Sequence, residues 1–369
     1  MMKNREEYYD QLRALAIFSI ICCHAAAGIV TGNSDLMNHF KTFYAVSFVN
    51  LGRFIGIPIF VMLSGALLIN KDYSLSDFIK KRFNRVFVPY IFWLVIFLIF
   101  SIAVLNVDLT YEFLISLVFG LKGTVGRILW FVWMLVFVYI AIFIINKILS
   151  YGKSKSGNFE RKFINVLVIL SLICYVLDNF GLFNHGNYAV YYSLFIPYAV
   201  FGYYLTHTDF TDICRIGVSS DSIAIAALAL SILGYLYFVY CVCIKSIALG
   251  KYSAGSYFEY VVLLTVFAII LFFRYLPHCS GKLHKVNGIL TSDNVSKAIL
   301  SISKCSYGIY FAHYLILNYL QVFYLNPIRY YNDPIFWTPV LVIAILLSSW
   351  ILIWIMGKIP YVNKLSGAS

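Results

Sequence analysis

The stretch YDQLRALAIFSIICCH, residues Tyr9 to His24, decides the fold. From Leu12 the chain stays apolar as far as Val30, close to the 20 or so residues that cross the hydrocarbon core of a bilayer. Yet the run opens on Asp10 and Arg13 and carries His24 within it. Runs of similar length recur along the whole chain, separated by charges or by Gly, Pro and Asn. They predict ten spans: Leu12 to Val30, Val49 to Ile69, Val86 to Leu105, Leu129 to Leu149, Phe163 to Phe180, Tyr188 to Thr206, Ile223 to Ile244, Phe258 to Leu276, Ser306 to Leu325 and Ile335 to Met356. The expected fold is all-α, a polytopic integral membrane protein.

Composition agrees. Of 369 residues, 62% are hydrophobic and 12% charged, against about 25% charged in a soluble globule, and the mean hydropathy is +0.84. The longest interruption between apolar runs, from Tyr275 to Cys305, is too short for a separate soluble domain. Residues 1–369 therefore read as a single transmembrane domain with no appended extracytoplasmic one. The net charge of +12 sits in short loops rather than in one patch, which argues for topology and against nucleic acid. Alternate loops hold 21 and 7 of the 28 Lys and Arg. With an even number of spans, that bias places both termini in the cytoplasm. Ala25-Ala26-Ala27 resembles a signal cleavage site, but Glu6, Glu7, Asp10 and the interrupting His24 speak against one. The eight cysteines form no CxxC pair, and most lie in apolar runs as packing residues. No His, Asp or Glu cluster has metal-ligand spacing, so no metal is expected.

Ionisable residues inside spans are costly, and they face a bundle interior or a wet cavity. At about 100° per residue, Arg13 and His24 point within about 20° of each other and Asp10 lies within about 60° of Arg13. One stripe thus runs from a cytoplasmic anion site to the middle of the membrane, a rise of about 16 Å. Plain alternatives are interface anchoring for Asp10 and Arg13 and a packing role for His24. At the start of the third span, Lys80, Lys81, Arg82 and Arg85 cluster; the paired guanidinium forks suit phosphate, although such charges also serve as simple inside anchors. In the second span, Gly52 and Gly56 offer a close-contact face, Pro58 permits a kink, and Arg53 either snorkels or meets an acceptor. Tyr310 and His313 form an i, i+3 pair in the ninth span, where a satisfied core histidine is the bland alternative.

Together these segments resemble membrane acyltransferase family three, integral membrane O-acetyltransferases of surface glycans. The resemblance rests on Arg13 followed by His24, Arg82 with Arg85, the run Arg53 to Gly65, Leu129-Trp130-Phe131, and Ser306 to His313. It implies acetyl-CoA as donor, a glycan hydroxyl as acceptor and a bacterial cytoplasmic membrane as location, with membrane lipids as neighbours and room for a homo-oligomer. On that reading His24, Arg13 and Asp10 are catalytic. Arg82, Arg85, Lys81 and Arg13 bind the donor, while Arg53, Ser64, Tyr310 and His313 are acceptor or oxyanion candidates. His24 acts either as general base or as a transient acetyl carrier. A glycan exporter or a proton-coupled transporter is the competing class, since it too would bury Arg and His.

Overall fold

The computed structural model describes residues 6–32, 39–121, 125–153, 158–213, 218–323 and 333–368. These form helices and connecting turns, with no strand among them. The long elements are α1 (Tyr8–Gly32), α2 (His39–Leu51), α3 (Ile57–Leu68), α4 (Leu75–Arg82), α5 (Val88–Ala103), α6 (Tyr111–Phe119), α7 (Trp130–Lys153) and α8 (Phe159–Asn179). There follow α9 (Tyr188–Ser193), α10 (Ile196–His207), α11 (Phe210–Ile213), α12 (Ser220–Ala248), α13 (Tyr260–Tyr275), α14 (Gly281–Leu290), α15 (Asp293–Phe323), α16 (Pro334–Met356) and α17 (Val362–Ser366).

Among the described residues, eight helical segments are long and apolar enough to cross a membrane. The protein is an all-α polytopic membrane protein. Its lipid-facing surface is legible in α8, where Val166, Ile169, Leu170, Ile173 and Val176 are exposed, and in α16, where Ile343, Leu347, Ile351 and Trp354 are. Only 22% of the α8 span and 28% of the α16 span are buried, against 76% of the span made by α2 and α3. The centre of the bundle is therefore α1 with α2 and α3, and α1 touches α2, α3, α13, α15 and α16.

Two expected spans differ from the prediction. Tyr188 to Thr206 is split into α9 and α10 rather than continuous, because Pro197 has no N–H to extend the preceding turn and instead starts a new helix. The span expected from Ser306 begins at Asp293. Charges such as Lys297 and Lys304 end an apolar run without ending a helix. Its expected end at Leu325 lies outside the described residues.

Proline also shapes the two segments that build the site. The turns Gly52–Gly56 and Phe83–Phe87 are π-helical, each running directly into a helix with Pro58 or Pro89 in its first turn. A proline clashes with the carbonyl four residues back, and a widened turn with i to i+5 bonding relieves the clash. Ile57 N–H accordingly donates to the Gly52 carbonyl, and Val88 N–H to that of Phe83. Gly52 packs so closely on α1 that an added Cβ would lie 2.4 Å from Cys23 Cβ, and one on Gly56 would lie 2.5 Å from Ile20 Cγ1. The small-residue face expected in the second span is thus pressed against α1 just before His24. A second backbone contact joins α3 to α10, where a Cβ on Gly65 would meet the Ala199 carbonyl at 1.8 Å and one on Gly202 that of Met62 at 2.0 Å.

The end of α3 is fixed by a polar knot. Asn70 sits at a left-handed φ of 65°, its N–H donating to Asn146 Oδ1 at 2.7 Å and its Nδ2 to Glu160 Oε1 at 2.7 Å. Tyr203 donates to the same carboxylate at 2.6 Å, and Lys153 pairs with it at 2.8 Å.

Candidate active site

Two cavities meet inside the bundle. The first, of about 140 Å³, is lined by Arg13 from α1, Ser64 from α3, Arg82 and Arg85 around the Phe83–Phe87 turn, and Ser306 and Tyr310 from α15. The second, of about 610 Å³, is lined by Cys23 and His24 of α1, by Arg127 and Trp130, by tyrosines of α9 and of the segment before α13, and again by Tyr310. Tyr310 belongs to both. Its ring packs, tilted, 4.9 Å from that of Phe131, a wall of the first cavity, and its hydroxyl donates to the carbonyl of Ile128, in the wall of the second, at 2.6 Å.

The guanidinium chamber is prepared for an anion. Arg82 is held over two rings, 5.6 Å from Tyr139 and 5.9 Å from Phe78, which leaves in-plane N–H donors for a ligand. Its Nε is buried and finds no partner among the described residues. Arg13 is oriented by Asp10 at 3.4 Å, and Ser303 of α15 donates to the same carboxylate oxygen at 2.6 Å. Asp10 lines neither chamber. Its carboxylate ties α1 to α15 beside Arg13.

Around His24 the structure brings α1 and α15 together: the His313 ring lies 5.3 Å away and the Tyr314 ring 5.1 Å away, edge on. His313 is fully enclosed, with Nδ1 2.9 Å from the Ile309 carbonyl. A carbonyl only accepts, so that contact assigns the proton to Nδ1 and leaves a lone pair on Nε2. Nε2 has no partner among the described residues. A second imidazole with a free lone pair thus faces the first.

Several expected roles change. Ser64 lies with the three arginines rather than beside His24, because α3 turns it toward the Arg82 end of the bundle. The three groups proposed as oxyanion donors have already committed their protons: Ser64 to the Phe60 carbonyl at 3.0 Å, Tyr310 to Ile128 and His313 to Ile309. A hydroxyl or neutral imidazole has one proton to give, so each of the three would have to release its carbonyl before donating to a ligand. Lys81 lies outside the chamber wall, its Nζ 4.8 Å over the Tyr73 ring. The Arg53 side chain lies outside the described residues.

Sequence reading missed Arg127, Tyr139 and the aromatic lining around Trp130, Tyr192 and Tyr257. The signal for Arg127 was its place two residues before Leu129-Trp130-Phe131. Outside both chambers, His185 Nε2 and Asp178 Oδ1 stand 2.6 Å apart. Among the described residues no three His, Cys, Asp or Glu side chains gather as a metal site.

This geometry stands beside a family match over residues 6–354, described as an acyltransferase domain. The chain belongs to membrane acyltransferase family three. No curated protein and no solved structure matches it. The activity carried by the family is acyl transfer, and the protein is a membrane acyltransferase.

Proposed function

We propose that the protein moves an acetyl group from cytoplasmic acetyl-CoA to a hydroxyl of a cell-envelope glycan, with both termini and the guanidinium chamber on the cytoplasmic side of a bacterial membrane. The observation that carries the reading is the pairing of chambers, one lined by three guanidinium groups and one by an imidazole, with Tyr310 common to both. The unpartnered Arg82 Nε and the neighbouring Arg13 and Arg85 fit the phosphates of a nucleotide donor. At about 140 Å³ the chamber suits the slender thioester arm, with the bulkier nucleotide held at the exposed Arg85.

Movement of Tyr310 and Phe131 would open the way between the chambers. His24 then takes the proton of the acceptor hydroxyl as its oxygen bonds to the thioester carbon. The C–S bond breaks, His24 returns the proton to the departing sulfur, and the products are an O-acetyl ester and the CoA thiol. The His313 ring, 5.3 Å from that of His24, packs against it and holds it in place. Arg13, in the same wall as Arg82 and Arg85, adds a third cation to the thioester path.

The test is the protein in proteoliposomes with acetyl-labelled acetyl-CoA and bacterial membrane glycan. The proposal expects CoA thiol release matched by label in base-labile esters. Movement of glycan across the bilayer without CoA release would establish the transporter reading instead.

A further inference from the structure

We infer that the acceptor is an acidic sugar, a saccharide carrying a carboxylate or phosphate, and that Arg127 is the residue that selects it. The inference rests on the acetyl-transfer reading and names the substrate class for the His24 chamber. Among the described residues lining that chamber, Arg127 is the one permanently charged side chain, and no carboxylate is with it. The wall also carries many aromatic side chains, Trp130, Tyr192 and Tyr257 among them. Rings stack on the apolar faces of sugars, and a lone cation in such a wall selects for an anion.

Arg127 is also placed to matter. It lines the same chamber as His24 and as Tyr314, whose ring lies 5.1 Å from that of His24. An anion held at Arg127 thus shares one cavity with the reacting imidazole. The turn that carries it, Val125–Leu129, is anchored from both sides. Tyr310 donates to the Ile128 carbonyl, and Gly120, at a φ of +65°, lies so near the Trp130 amide that a Cβ there would stand 2.2 Å away. Arg127 itself is exposed to the chamber, so replacing it leaves the packing of the bundle intact.

The experiment measures binding of three probes to the full-length protein in nanodiscs: tetragalacturonate, its neutral methyl ester, and galactose 1-phosphate. Tetragalacturonate and its ester share ring faces and differ in charge. At least one acidic probe should bind about tenfold or more tighter than the neutral ester, the usual effect of a charged hydrogen bond, and the difference should shrink in high salt. Arg127→Gln should bring acidic and neutral probes level, while Arg127→Lys should keep part of the preference. Tighter binding of galactose 1-phosphate than of tetragalacturonate would assign the anion as phosphate, and the reverse order as carboxylate. Equal binding of all three probes by the wild-type protein, or a preference unchanged in Arg127→Gln, overturns the inference. CoA release is followed in the same nanodiscs with acetyl-CoA. Release without charge preference sinks the acidic acceptor alone, whereas charge preference without release keeps the anion site and sinks the acetyl-CoA reading.

Discussion

Gly52→Ala should slow catalysis without touching any polar group. The added Cβ would stand 2.4 Å from Cys23 Cβ and 3.2 Å from both Cys23 Sγ and the Ile20 Cα. Carbon atoms settle at about 3.5–4.0 Å, so the two helices must part by more than about 1 Å. Because the clash is with a Cβ fixed to α1 and not with a flexible side-chain tip, the backbone before His24 has to move. Overpacking of this kind costs about 1–3 kcal/mol, which a membrane bundle of this size tolerates. A misplacement of about 1 Å at the reacting group costs on the order of 100-fold in rate. The expected result is normal insertion, a fall of about 100-fold in kcat for acetyl transfer into membrane glycan, and little change in KM for acetyl-CoA. Gly288→Ala, with nothing within 4 Å of its new Cβ, is the neutral control. A Gly52→Ala protein with kcat within twofold of wild type would refute the claim that α1 must seat this closely for His24 to work.

Arg82→Ala combined with Arg85→Ala should raise KM for acetyl-CoA by about tenfold or more, the scale of lost charged hydrogen bonds, with kcat largely kept at saturation; an unchanged KM in steady-state kinetics would remove the donor site. Asp10→Ala leaves the Ser303 hydroxyl without its acceptor and Arg13 without its orienting carboxylate, and should lower stability by about 1–3 kcal/mol, read as a drop in melting temperature in detergent. Gly65→Ala drives a methyl group onto the Ala199 carbonyl, 1.8 Å away, where neither backbone can yield; the protein should fail to elute as a single species in size exclusion, and a normal profile would show that α3 and α10 are less tightly joined.

Much of the bundle was legible because bilayer thickness fixes span length, and Pro58 marks where the second span departs from a regular helix. The stripe from Arg13 to His24 was readable from helical geometry alone, and so was the pairing of Arg82 with Arg85, since both depend on neighbours along one helix. What sequence spacing leaves out is what lies across from them. Tyr310 and His313 were visible as a pair, but their protons are claimed by Ile128 and by the preceding turn of α15, which only the packed structure reveals. Ser64 lies in the second span like Arg53, yet the turn of α3 carries it to the arginine chamber. The knot at Asn70 joins residues from α7, α8 and α10 around a loop asparagine whose positive φ has no sequence signature of its own.

The most direct measurement is acetyl transfer by His24→Ala, with insertion and melting temperature checked against wild type. With acetyl-CoA and membrane glycan both supplied, the account predicts a well-inserted protein that releases CoA and forms ester no faster than empty membranes. Transfer at the wild-type rate by that variant would contradict it.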